Sequence, residues 1–130
     1  MPAPTVQTYS APALVAAHTA FRNLVDSGTA GGSIKIRDAA DVLLATIPLS
    51  DPCGTVNGTT GQLTITPAGR DESADATGTA AYAEICNSNG TVYLSLPAQQ
   101  GTAAVSGKVV LNTLSIVAGG PVEMLSVVVG

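Results

Sequence analysis

Leu14, Ala17, Phe21 and Leu24 recur at three- and four-residue intervals, the spacing that lines up one face of an α-helix. Ser10 ahead of them is a good N-cap type, and Pro12 falls in the first turn, where a missing N–H does no harm. "DSGTAGGS" (26–33) ends the pattern, with Gly28 as the break. The spacing therefore predicts one helix over about residues 12–26. Residues 1–10, "MPAPTVQTYS", show no periodicity, and Pro2 and Pro4 lack amide donors. They read as an extended arm ahead of a single domain over residues 11–130.

After the helix the period drops to two. Ile34 and Ile36 alternate with Lys35 and Arg37 in "SIKIR", which is a strand with one face in and one out. "DVLLATIPL" predicts a second strand, ended by Pro48 and the turn-rich "SDPCGTVNGTTG". "QLTIT" repeats the alternation with Leu63 and Ile65, and the polar stretch 68–79 predicts a long surface loop. "AAYAEIC" and "TVYLSL" flank "NSNG", a strong hairpin signal because Asn and Gly accept positive φ. "GKVVLNTLSIV" and "PVEMLSVVV" flank "AGG", which predicts a final hairpin.

That hairpin disposes of one reading of the apolar ending, in which Glu123 is the only charge among the last twenty residues. Gly119, Gly120 and Pro121 cut it into two runs, each far short of the ~20 residues of a membrane helix. No membrane association is expected. The Val122/Met124 face and the Leu125/Val127/Val129 face are both apolar, as in a central strand or one covered by a partner. Many short strands with Gly-rich turns predict a mainly β fold: an antiparallel sandwich, jelly-roll-like, with one N-terminal α-helix.

Composition changes this picture in one respect. Charged residues are 11% of the 130, against roughly 25% in an average domain. Aromatics are 3%, without Trp. So little charge leaves little to keep neighbours apart, and part of the surface is expected to be covered in the working state. Alanine enrichment is the alternative account, since small residues raise the apolar count without making adhesive patches. Net charge is −4, and Arg22, Lys35, Arg37, Arg70 and Lys108 are scattered, so no basic stripe is present for nucleic acid. The first ten residues have no basic or apolar region of a signal peptide. Cys53 and Cys86 read as ordinary thiols, with a single bridge left open for a protein that ends up outside a cell.

Catalytic chemistry finds little support. Asp71, Glu72 and Asp75 lack the ligand spacing of a calcium loop. His18, the only histidine, reads as a boundary residue of the helix, and no nucleophile has a partner signature such as G-x-S-x-G. The glycine-rich "SGTAGGS" lacks the ending of a phosphate loop. Asn57-Gly58-Thr59 and Asn89-Gly90-Thr91 match glycosylation sequons but lie in turn sequence, where Asn-Gly serves the backbone. No enzyme activity, cofactor or metal is expected.

Two stretches, "SADATGTAAYAEICNSNGTV" (73–92) and "LNTLSIVAGGPVEMLSVVV" (111–129), carry a resemblance. Together they resemble a widespread family of small tailed-bacteriophage virion proteins. Its members have a helix, a short strand, a Ser-Ala-Asp-Ala-Thr-Gly-Thr-Ala run and a closing Leu-Asn-Thr-x-Ser-Ile-Val-Ala-Gly-Gly-Pro-Val segment. The family usually places Trp and Phe where this chain has Tyr82 and Ala83, and "SIKIRDAADVLLATIPLSDP" matches less closely. The resemblance implies a structural role in the particle without fixing head or tail.

Joined to the acidic, charge-poor, β-rich reading, it leads to one expectation. The chain is a capsid decoration (cement) protein on the outer surface of a phage head, assembled in the host cytoplasm. Its expected partners are the major capsid protein and itself, as a dimer or trimer. The expected contacts are Pro2, Pro4, Val6 and Tyr9 of the arm, with Met124, Leu125, Val127 and Val129 of the ending. The alternative is a tail or baseplate component that recognises a host surface such as a glycan. Only Phe21, Tyr9, Tyr82 and Tyr93 are on hand as sugar platforms.

Overall fold

A computed structural model describes residues 9–28 and 30–129. The elements, in chain order, are α1 (Ala11–Val25), β1 (Ser33–Arg37), β2 (Leu43–Val56), β3 (Leu63–Pro67), β4 (Gly78–Thr79), β5 (Tyr82–Cys86), β6 (Val92–Gln100), β7 (Val109–Leu111), β8 (Ser115–Ile116) and β9 (Val127–Val129). The fold is mainly β with one helix near the N-terminus, as the periodicities predict.

Seven strands form one sheet in the order β7-β6-β5-β1-β2-β3-β9, and β4 pairs with β8 in a separate ribbon. Hairpins join β1 to β2, β2 to β3 and β5 to β6, while β5 returns to lie beside β1. The spatial order β5-β1-β2-β3 is a Greek key. Not every pair is antiparallel: β6 and β7 run parallel, joined by residues 101–108. The two outer strands of the sheet also approach each other. Gly107 N donates to Val128 O at 2.8 Å, Leu125 N donates to Val110 O at 3.0 Å, and Leu111 bridges Met124. The sheet is thus nearly closed, along a seam between β7 and the segment that leads into β9.

The seam shows how the ending folds. Its two halves do meet, antiparallel, but the turn is not "AGG". Residues 112–123 lie between them, and β8 leaves the seam to pair with β4. The Gly119-Gly120 turn folds back on Ala74, with Gly119 N to Ala74 O at 2.8 Å and Ala74 N to Gly120 O at 2.9 Å. β2 differs in a similar way. It does not stop at Pro48 but runs to Val56, pairing with β1 as far as Pro48 and with β3 from Leu49, with an irregularity between Leu49 and Gly54. Both prolines, 48 and 52, fall at or beyond the end of the β1 ladder, so their missing N–H groups leave that ladder intact.

Among the described residues the first half of β2 has no strand on its far side, and residues 68–79 cover it. Thr46 N donates to the Asp71 carboxylate at 2.9 Å, Asp75 N to Leu44 O at 2.8 Å, and Ala68 N to Pro48 O at 2.9 Å. Ala74 is buried there. The stretch that reads as a loose polar loop is a cover for an edge that would otherwise offer unpaired groups to another chain.

The core is an aliphatic interior. Ile34 and Ile36 of β1, Ile47 of β2, Leu63 and Ile65 of β3, Ile85 of β5 and Val109 and Leu111 of β7 are fully buried. Across the sheet Ile34 faces Ile47 on one side and Ile85 on the other. On the outer face Arg37 pairs with Glu84, and the Tyr82 hydroxyl donates to Asp41 Oδ1 at 2.7 Å.

α1 lies against β2 on a stripe shifted by one residue from the expected one. Leu14, His18 and Phe21 are half-buried and Val25 is fully buried, whereas Ala17 and Leu24 are exposed. Ser10 Oγ accepts from Ala13 N at 3.4 Å, and the Asp26 carboxylate accepts from Cys53 N at 2.8 Å, tying the helix end to β2. Two glycines permit the close approach. A Cβ on Gly32 would lie 2.3 Å from Cys86 O and 2.8 Å from Val25 Cγ1. One on Gly61, whose φ is +78°, would lie 2.4 Å from Leu14 Cβ.

Cys53 and Cys86 are buried free thiols. Burial, aided by the Asp26 carboxylate, pushes Cys53 up to about 12, and burial raises Cys86 as well. Unfolded thiols ionise at about pH 9, so between there and pH 12 the unfolded chain holds fewer protons than the folded one. This contribution to stability is complete below about pH 9 and is lost as pH rises towards about 12. Urea midpoints should fall across that range, and less steeply in Cys53→Ala. Equal slopes in the two proteins would contradict the burial of the thiol.

Candidate interaction surface

Where the seam ends at Leu111 and Met124, the surface opens into a groove of about 260 Å³. Gly101, Thr102, Asn112, Glu123, Met124 and Leu125 line it. The segment after β6 supplies the first two, the residue after β7 the third, and the approach to β9 the rest. The groove exists because β7 is only three residues long and its partner segment is irregular there. Met124 turns inward, 8% exposed, while Leu125 is half-buried and faces outward.

A second depression, lined by Gly69, Arg70, Glu72, Glu123 and Met124, adjoins the first and shares Glu123 and Met124 with it. Arg70 Nε donates to both oxygens of Glu72 at 3.2 Å, and its Nη1 donates to Glu123 at 3.3 Å. The Glu72 hydrogen bond, ahead of the charges of Glu72 and Glu123, raises the guanidinium further above its ordinary range. Two carboxylates share one guanidinium, so the rim keeps one net negative charge beside an apolar floor. Such a surface suits contact with another molecule more readily than bond chemistry.

The chain matches no known protein family, no curated protein and no solved structure.

Of the residues expected from the sequence to make contacts, the groove brings together Met124 and Leu125. Val127 is fully buried among core side chains, and Val129 is half-buried on β9. The backbone explains the split. Met124 and Val127 both point inward, three residues apart, because the alternation slips at Leu125-Ser126. Tyr9 is 63% exposed at the helix entrance. Pro2, Pro4 and Val6 lie outside the described residues.

The acidic group at 71–75 has structural employment: Asp71 accepts from Thr46 N and Ser73 N, and Glu72 holds Arg70. His18 Nδ1 donates to Gly61 O, which attaches the helix to the β2–β3 turn. Among the described residues no group of three or more His, Cys, Asp or Glu is placed to hold a metal ion. No helix among them is long and apolar enough to cross a membrane. Sequence reasoning missed Thr102 and Asn112, which reach the groove from two separate connections, and Arg70, which lines the adjoining depression. Glu123 carried the one available signal, as the lone charge in an apolar ending.

Proposed function

We propose that this chain is a structural protein of a tailed-phage particle, a capsid decoration protein that bridges major capsid protein subunits on the outer head surface. It acts without catalysis and self-associates, and it joins heads assembled in the host cytoplasm. The observation that carries this reading is the groove at the seam, an apolar floor in a surface with few charges, to which the most specific part of the phage-protein resemblance, residues 111–129, contributes Asn112, Glu123, Met124 and Leu125. Repeated copies of a modest apolar contact give firm attachment to a lattice. The Greek key supports relating the fold to jelly-roll-like sandwiches, which share that strand order.

Adding purified protein to heads that lack it tests the reading. Binding should saturate in a simple ratio to the shell protein and raise the temperature at which heads burst. Binding to tails or to host envelopes, with none to heads, would replace it with the host-recognition reading.

A further inference from the structure

From the groove the surface over the seam extends along β7. Val109 and Leu111 point into the core; Val110, only 1% exposed, is covered on its outer side by the connection at Gly101, and Lys108 beyond it is half-buried. On the facing segment Leu125, Ser126 and Val128 are half-buried on the outer side. The flanking residues 101–106, "GTAAVS", carry no charge, and Thr102, Ala103 and Ala104 are exposed. This uncharged strip has a cation at one end and an anion at the other. Lys108 makes no ion pair among the described residues. Glu123 sits at the far end, where Arg70 is shared with Glu72.

Register gives the spacing. Leu111 lies opposite Met124, so Glu123 lies opposite Asn112, just past the end of β7, and Lys108 is four residues back along the seam. The two charges are thus separated by roughly 13 Å of strand length. A strip with opposite charges at its two ends is complementary to its own copy turned by a half-rotation.

We propose that a second copy of this chain docks across the seam through a two-fold interface, with Lys108 of each copy against Glu123 of the other. Such an interface is isologous, each copy using the same patch, and closes at two subunits. A standard interface takes about 800 Å² per partner, roughly an eighth of the 6716 Å² surface described. The inference specifies the self-association named in the proposed function and rests on that part of it alone. It is measured on purified full-length chain, so it and head binding fail separately.

Charge reversal tests it, read by sedimentation equilibrium. The wild type should be a dimer whose affinity drops with salt. Lys108→Glu and Glu123→Lys each set like charges opposite at two symmetric places, and each should raise Kd roughly tenfold or more. The double variant K108E/E123K restores opposite signs and should return Kd to within about threefold of wild type. Urea melts of each variant separate loss of folding from loss of pairing. A wild type that stays monomeric up to about 0.1 mM overturns the proposal. So does a double variant that is as weak as the single ones. A monomer that still binds heads, and loses that binding on Leu125→Arg, assigns the strip to the shell protein instead.

Discussion

Replacing Ile34 with alanine should lower the unfolding free energy by about 4 kcal/mol, near the upper part of the usual range for isoleucine truncation. Ile34 is fully buried in a central strand, directly opposite Ile47 on β2 and Ile85 on β5. Its side chain therefore has ladder-bound neighbours on both flanks. Strands held by backbone hydrogen bonds cannot move inward to fill the vacated space, and the cavity persists. Small domains have only about 5–15 kcal/mol in total, so the variant should sit close to its unfolding threshold at 37 °C. A urea melt should show the midpoint falling with the slope unchanged. A loss below about 1 kcal/mol would mean that the three-isoleucine row is not the centre of the core.

The second large effect concerns the apolar ending. Val127→Ser should cost about 3 kcal/mol, because it removes buried methyl groups and places a hydroxyl in an aliphatic interior. Val127 is 0% exposed and pairs with Ile65 at the start of β9. Leu125→Ser, two residues away on the outer side, should cost about 1 kcal/mol or less and leave a folded protein. If dimerisation or head binding is lost in Leu125→Ser while folding is kept, the groove is a contact surface. If both variants destabilise equally, Leu125 belongs to the core and the groove is not an attachment point.

The same pair of residues shows what was legible in the sequence. Strict alternation made β1 and β3 readable, and the Asn-Gly turn made the β5–β6 hairpin readable, because local chemistry decides those elements. Ser10 and Gly28 bracketed the helix for the same reason. The ending was only half legible: its two runs do meet, but a slip at Leu125-Ser126 puts Met124 and Val127 on one side, and no composition signal marks such a slip. β2 was cut short at Pro48, since only the switch of partner from β1 to β3 explains how a strand tolerates that residue. The polar stretch at 68–79 gave no hint that Asp71 and Asp75 would line an open edge. The candidate site was the least legible part. Arg70, Thr102, Asn112 and Glu123 become neighbours through strand order, which is a long-range property, and local patterns do not carry it.

The central claim, attachment to a phage head, is tested most directly by separating heads from tails of the particles that contain this protein and quantifying its peptides in each. The protein should travel with heads, in a simple whole-number ratio to the major shell protein. Recovery with tails, in a few copies per particle, would contradict it.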